Sequence, residues 1–308
     1  MPDLIDRARR FARPYRIDRG NKFRMRDIDP GDCGELSAED KPRAQEALAM
    51  GIEAIAGLQD RLYAQDRWSL LLIFQAIVAA GKDSAIKHVM SGINPQGVEV
   101  CSFKAPSEED LDHDYLWRCM KKLPERGRIG IFNRSYYEEV VVVRVHRALL
   151  GRQKVPEELL RTRTLWKDRC RDIRHVESYL ARNGTVIRKF FLHVSRKEQD
   201  KRFRERLEKP QKNWKFSAAD LKERQHWKEY HEAYEDMIRW TATPEAPWYV
   251  VPADHKWFTR VVVAAAIVDA LAGLNLRYPS LSKAQQREIA RARTALGMAE
   301  RRDRARGR

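Results

Sequence analysis

Cysteine is scarce in this chain, and its spacing argues against a metal centre. The 308 residues contain four cysteines, which are Cys33, Cys101, Cys119 and Cys170. No two of them are close enough to form a CxxC pair, so we expect no cysteine-based zinc site. Scattered, unpaired cysteines are typical of a reducing compartment, and we therefore expect a cytoplasmic protein.

Long apolar runs are also missing. Residues 1–10 are polar and charged, which is unlike a secretory signal peptide. Apolar runs such as residues 70–74 are much shorter than the roughly 20 residues that a membrane-spanning helix needs. We therefore expect no membrane partner.

Acidic residues are too few to balance the basic ones. The chain has 60 Lys and Arg against 44 Asp and Glu, which gives a formal charge of +16. Such an excess favours a polyanionic partner, which on composition alone is a nucleic acid, an anionic membrane or another phosphate polymer. A basic surface without any such partner is the alternative interpretation.

The chain divides into three parts by composition. Residues 1–36 are rich in Arg, Asp, Gly and Pro and have no periodicity, which predicts an arm that wraps the domain or is partly mobile. Residues 37–275 form the main domain, which opens with a capping box at Ser37 and contains a charged insertion at about 196–240. Residues 276–308 are a basic tail, predicted to be helical from residue 282 onward.

Strand and helix patterns alternate within the main domain. The predicted strands lie at residues 70–78, 98–104, 128–133, 186–194 and 248–251. The predicted helices lie at residues 37–65, 82–90, 107–121 and 156–183, and residues 136–150 begin as a helix but contain a β-branched run. Strands separated by helices predict an α/β fold, in which helices cover both faces of a central parallel five-stranded sheet.

The stretch from residue 69 to residue 84, SLLLIFQAIVAAGKDS, reads as a buried strand that runs into a phosphate-binding turn. A turn at a helix N-terminus presents several N–H groups to one anion, and Lys82 adds a mobile positive charge. The stretch departs from the usual P-loop pattern, because Ala76 replaces the first glycine and Asp83 follows the lysine. A plain strand, turn and helix with a surface lysine is the alternative.

A second segment supports the phosphate-binding interpretation. Residues 130–135, GIFNRS, form another apolar strand that ends in polar side chains. Neighbouring parallel strands end at the same edge of a sheet, so we expect Asn133 and Arg134 to lie near the turn. An arginine there can hold a phosphate with two hydrogen bonds.

A third segment is strongly basic. Residues 196–215 carry nine Lys or Arg against four Asp or Glu. On a helix, Arg202, Arg206 and Lys209 share one face. A solvated charged helix is the common explanation for such a run, but a basic lid over a phosphate site would neutralise a phosphoryl group and exclude water. We favour the lid.

Taken together, these segments resemble the polyphosphate kinase 2 family, whose members transfer phosphoryl groups between inorganic polyphosphate and nucleotides. The resemblance covers roughly residues 65–275 and includes AAGKDSAIKHVMSGINPQG, GRIGIFNRSYYEEVVVVRVH, HVSRKEQDKRFRERLEKPQKNWK and APWYVVPADHKWF. It implies a P-loop kinase-like, three-layer fold with a helical lid. It also implies Mg2+ (or Mn2+) as cofactor and assembly as a homodimer or homotetramer.

The resemblance also implies a set of site residues. The catalytic set would be Lys82, Asp83, Asn133, Arg134 and Glu138. Polyphosphate would contact Ala79, Ala80, Gly81, Lys82, Ser84, Lys87, Arg202, Arg206, Lys212 and Lys215. The nucleotide would contact Asn94, Arg118, Asn133 and Arg134.

Two positions refine what the resemblance implies. Asn133 with Glu138 looks like the subgroup that accepts both AMP and ADP, with guanine nucleotides as a further option. Val78 stands where the family has an aspartate that helps to hold Mg2+, and valine offers no oxygen ligand. Asp83 is then the remaining metal ligand of the loop.

Three functions therefore remain open on sequence. The first is a polyphosphate:AMP/ADP phosphotransferase, the second a weakened polyphosphate-binding member, and the third a P-loop kinase that uses ATP on a small molecule. Nucleic acid is not an expected partner, because no recognition helix or stacking motif stands out. Trp214 and the other tryptophans are expected to pack in the core or the lid.

Overall fold

The computed structural model describes residues 2–296. Six strands form one sheet in the order β1-β6-β5-β2-β4-β3. Their bounds are β1 Arg16–Ile17, β2 Ser69–Ala76, β3 Val98–Ser102, β4 Ile129–Asn133, β5 Thr185–His193 and β6 Trp248–Pro252. The five predicted strands are all present and parallel, but the sheet has a sixth strand, β1, which pairs antiparallel with β6.

The helices cover both faces of the sheet, as predicted. The bounds of those before β5 are α1 Pro2–Ala12, α2 Lys41–Gln65, α3 Lys82–Val89, α4 Glu108–Leu111, α5 Trp117–Met120, α6 Val142–Val145, α7 Glu157–Leu160 and α8 Leu165–Arg182. The bounds of those after β5 are α9 Arg196–Glu208, α10 Pro210–Asn213, α11 Ala218–Glu223, α12 Trp227–Thr241, α13 Lys256–Ala272 and α14 Lys283–Ala295.

The central strand β2 explains why the fold has three layers. Every residue of β2 is buried, and successive side chains point to opposite faces of a strand. Leu70, Leu72 and Phe74 pack with α2 and α13 in one core. Leu71 and Ile73 pack with α8 and α12 in the other. A strand that is apolar at every position is thus sandwiched between two helical layers.

The arm before α2 packs on the domain. Helix α1 contacts α13, and β1 contacts β6. Residues up to Leu276 form one compact unit, and the residues from Arg277 onward form another. In the second unit α14 is capped by Ser282, and the rest of the predicted tail helix lies outside the described residues. No described helix is long and apolar enough to cross a membrane.

Two predicted helices are wrong in their length. The helix predicted for residues 107–121 is split into α4 and α5, because the Asp114 carboxylate accepts a hydrogen bond from the Leu116 N–H at 2.9 Å and so stabilises a turn instead of helix. The helix predicted from Pro156 is likewise split into α7 and α8. In residues 136–152 the β-branched run supports only α6 between two 3-10 turns.

Candidate active site

The order of the strands places the site. The chain goes from β2 outward to β3 and β4 on one side and to β5 and β6 on the other. In such sheets ligands bind beyond the carboxyl ends of the strands, where the order reverses. A cavity of about 690 Å³ lies there, between the turn after β2, the end of β4, the segment after β5 and the start of α13.

The turn after β2 contains two residues in the left-handed backbone region. Ala79 has φ of 65° and Gly81 has φ of 104°, a region that non-glycine residues rarely adopt. Helix α3 then begins at Lys82, and the residues of its first turn line the cavity. Such a helix N-terminus favours a bound anion.

Lys82 lies at the floor of this cavity. Its Nζ donates to the Ala76 carbonyl at 3.2 Å. Burial, together with the nearby guanidinium of Arg134, lowers the pKa of Lys82 to about 8. The ammonium is therefore poorly compensated by the protein, which favours an anionic ligand beside it.

Asn133 and Arg134 end β4 at the same cavity, as predicted. The Asn133 Nδ2 donates to the Asp83 carboxylate at 2.6 Å. Arg134 has φ of 64°, and Glu138 lies 3.7 Å from its guanidinium. Burial raises the pKa of Glu138, and Arg134 and Lys82 oppose that shift. Glu138 therefore lies behind Arg134 and orients it.

Asp83 and Asn133 offer side-chain oxygen atoms near the loop, and oxygen suits a hard cation such as Mg2+. At position 78 the side chain offers none, and the Val78 carbonyl already accepts a hydrogen bond from Gln199 at 2.8 Å. Among residues 2–296 no group of three or more His, Cys, Asp or Glu could enclose a metal. The donor set fits an ion that is shared with substrate phosphates and water, and it does not fit a closed metal site.

Arg202 is predicted to contact polyphosphate, but its side chain binds the protein itself. It is 5% exposed, and its five N–H groups are all used within the protein. Nε donates to Glu198 at 2.9 Å. The two Nη atoms donate to carbonyl oxygens, which are those of Ala79, Ala80, Ala253 and Asp254 at 2.5–3.2 Å. Arg202 therefore holds the phosphate loop in place and has no donor left for a phosphate.

The other predicted lid cations line the cavity with carboxylate or aromatic partners. Arg206 pairs with Asp220 at 3.2 Å, and Lys212 pairs with Glu205 at 2.6 Å. Lys215 lies over the Trp214 ring, 4.9 Å from its centroid. These partners are partly exposed, so a bound phosphate can replace them at low cost.

Four predicted residues do not line this cavity, and one of them, Glu138, lies behind Arg134. The other three lie further away. Lys87 is exposed further along α3, and Asn94 lies just before β3, at the edge of the sheet where the parallel strands begin. Arg118 lines a separate cavity of about 260 Å³. Its guanidinium donates to the Lys104 carbonyl at 2.7 Å and lies 3.8 Å from the buried Glu139.

Two lysines and a tryptophan are among the cavity residues that the sequence analysis does not assign to the site. Lys104 and Lys256 line it, and both follow the carboxyl end of a strand, which is the signal that would have found them. Trp214 also lines it and is 78% exposed, so the expectation that it packs in the core or lid is wrong. Its neighbours Lys212 and Lys215 were the available hint.

Known proteins resemble this chain over most of its length. The family model described as Polyphosphate kinase 2 (PPK2) matches residues 37–278. An ADP-polyphosphate phosphotransferase of Rhodopseudomonas palustris is 50% identical over 281 residues, which cover 89% of this chain and 97% of that protein. An AMP/ADP-polyphosphate phosphotransferase of Meiothermus ruber is 42% identical over 275 residues, which cover 89% of this chain and 98% of that protein.

A solved crystal structure has the same fold as this chain. The crystal structure of polyphosphate kinase 2 from Arthrobacter aurescens superposes with a TM-score of 0.82 at 36% identity, and the match covers 92% of this chain and 96% of that one. The sequence match and the shared fold both extend over most of the chain. The chain therefore belongs to the polyphosphate kinase 2 family.

Proposed function

We propose that this protein transfers phosphoryl groups between inorganic polyphosphate and adenine nucleotides. The observation that carries the proposal is one cavity in which Lys82 and the phosphate loop face the basic lid residues Arg206, Lys212 and Lys215. A linear phosphate chain needs such a cationic surface along its length. The relatives named for polyphosphate transfer support the same substrate class.

Both AMP and ADP are proposed as acceptors. Among the relatives, one is named for ADP and the other for AMP and ADP. Asn133 at the end of β4 favours the dual preference that the sequence suggests. Guanine nucleotides are proposed as further acceptors.

The chain's own residues act by position and charge. Lys82 and Arg134 lie against the transferring group and offset its negative charge, and Glu138 orients Arg134. The lid residues exchange their carboxylate partners for phosphate oxygens and cover the cavity, which excludes water. Transfer is in line between the two phosphates, so no covalent enzyme intermediate is needed.

Asp83 and Asn133 would hold Mg2+ or Mn2+ together with the substrate phosphates. The ion supplies further neutralisation of charge on the transferring group when it is bound. We also propose that the protein assembles as a homodimer or homotetramer and that it is cytoplasmic. Light scattering of the purified chain tests the assembly state.

The experiment measures ATP formed from ADP and polyphosphate with no other substrate present. The unaltered chain is expected to produce ATP, and Lys82→Ala is expected to lose at least about 100-fold in turnover because the uncompensated cation is gone. Lys87→Ala is the matched control, since Lys87 lies on the same helix outside the cavity. Near-normal turnover by Lys82→Ala would refute the role of that lysine.

Two results would replace the proposal by its rivals. No ATP from polyphosphate, with ATP consumed in the presence of a small-molecule acceptor, would indicate an ATP-dependent kinase. Tight polyphosphate binding without turnover would indicate a binding protein. Val78→Asp, assayed alongside, measures how far position 78 limits the rate.

A further inference from the structure

A second basic groove lies at the opposite edge of the sheet from the active site. Its volume is about 630 Å³, and it lies between the segment after β1, helix α8, the end of α12 and the loop before β6. Strand β1 pairs Ile17 with Trp248, the first residue of β6. Residues 18–21 and 242–244 therefore lie where the parallel strands begin, whereas the active-site loops lie where they end.

Positive charges greatly outnumber negative charges in the lining of this groove. Its lining includes five cations, which are Arg19, Lys167, Arg171, Arg174 and Arg239, and one carboxylate, Asp18. Two of the cations have acidic partners outside the lining. Arg171 pairs with Asp168, and Arg239 pairs with Glu235 and Asp236.

The other three cations have no carboxylate partner within salt-bridge distance among residues 2–296. These are Arg19, Lys167 and Arg174, and all three are exposed. Like charges that share a small groove repel one another. An anionic ligand in the groove would remove that repulsion.

The cations on α8 form a row. Lys167, Arg171 and Arg174 are spaced by four and three residues, so they lie on one face of the helix. Seven residues of helix span about 10 Å, which is longer than a single phosphate group. The groove therefore suits a linear anion with charge repeated along its length.

We propose that this groove is an anchoring site for inorganic polyphosphate, separate from the site of transfer. This inference rests on the proposed function, because the same polymer would occupy both sites. A chain long enough to reach from one edge of the sheet to the other is held at the groove while another stretch enters the active site. Tethering raises the effective concentration of the donor at the active site without any new contact there.

The length of the donor provides the test. Tripolyphosphate is too short to occupy both sites, and a long-chain polyphosphate can occupy them together. The test variant is Arg19→Ala/Lys167→Ala/Arg174→Ala, which removes only the three exposed cations without carboxylate partners. The control variant is Lys41→Ala/Arg43→Ala/Arg67→Ala, which removes the same residue types from exposed positions that line neither cavity.

In steady-state assays with ADP, the test variant is expected to raise the KM for long-chain polyphosphate about 10-fold and that for tripolyphosphate less than about 2-fold. The kcat should be unchanged with both donors, and the control variant should match the unaltered chain. An equal rise with both donors, no rise, or the same rise in the control would overturn the proposal.

Binding separates this inference from the proposed function. Calorimetry on Lys82→Ala, with and without the three groove substitutions, measures the binding of long-chain polyphosphate in the absence of turnover. Loss of about 10-fold in affinity on removing the groove cations supports the anchor even if the unaltered chain makes no ATP. Equal competition by single-stranded RNA would overturn polyphosphate as the ligand of the groove.

Discussion

Two arginines of the lid helix α9, Arg202 and Arg206, serve different purposes. Arg202 and Arg206 lie one turn apart on α9. Arg202 is buried, and its Nη atoms donate to four backbone carbonyls. Arg206 is more exposed. It donates to one backbone carbonyl, that of Lys215 within the lid, and it pairs with the carboxylate of Asp220. A backbone carbonyl cannot move away from its donor without deforming the loop, whereas a carboxylate side chain can rotate and release its partner.

This contrast teaches which basic residues of a lid can meet a substrate. A cation whose partners are fixed backbone atoms supports the architecture of the site. A cation whose partners are mobile side chains is available to a phosphate. Lys212, paired with Glu205, and Lys215, over Trp214, belong to the second class.

The largest effect is expected from Arg202→Ala. The substitution leaves the carbonyls of Ala79 and Ala80, and those of Ala253 and Asp254, without the donors on Arg202. It should lower the free energy of unfolding by about 3 kcal/mol. Urea denaturation measures this loss, and Arg206→Ala is the control, with an expected loss below about 1 kcal/mol. If Arg202→Ala kept full stability and lost only polyphosphate affinity, Arg202 would be a substrate contact and not a support of the loop.

A smaller effect is expected from Lys212→Ala/Lys215→Ala. These cations lie at the cavity and contribute little to the fold, so the unfolding free energy should change by less than about 0.5 kcal/mol. The KM for polyphosphate should rise about 10-fold, because two phosphate contacts are lost. The control is Lys197→Ala/Lys201→Ala, on the same lid but outside the cavity, and an equal rise there would remove the distinction between cavity and surface.

The smallest effect is expected in the pH dependence of kcat/KM. Burial lowers the pKa of Lys82 to about 8, so this lysine is charged below that pH and loses its proton above it. The kcat/KM for polyphosphate, which reports the free enzyme, should therefore fall as the pH rises through about 8. Bound phosphates favour the ammonium, so kcat should fall only at higher pH.

Lys82→Arg is the matched control for that profile. A guanidinium does not titrate in this range, so the variant should be slower but should lack the fall near pH 8. An unchanged alkaline limb in Lys82→Arg would assign the titration to the substrate or to another residue.

The parts of the site that the sequence predicts are those that depend on local pattern. The strand, the turn and α3 around Lys82 follow from neighbouring residues, and so does the end of β4 at Asn133. The parallel sheet follows from alternating strands and helices. These features need no knowledge of distant contacts.

The parts that it missed depend on distant partners. The carbonyl acceptors of Arg202 lie more than 120 residues earlier in the chain or about 50 residues later, and nothing near Arg202 in the sequence identifies them. Strand β1 has only two residues, too few for a periodic signal, and it exists because β6 offers an edge. The family resemblance implies that Asn94 contacts the nucleotide, and the structure places Asn94 before β3, at the opposite edge of the sheet from the cavity. Its contact with the nucleotide stays a prediction.

Ala79 and Arg134 hold left-handed backbone conformations at the two loops that form the floor of the active site. A glycine at position 79 would adopt that conformation without strain, but it would also let the loop leave it. A substitution that relieves the backbone strain at these positions would therefore also loosen the loops and lower the turnover. Gly57 is a safer starting point, because it lies within α2 and a Cβ there would meet open space.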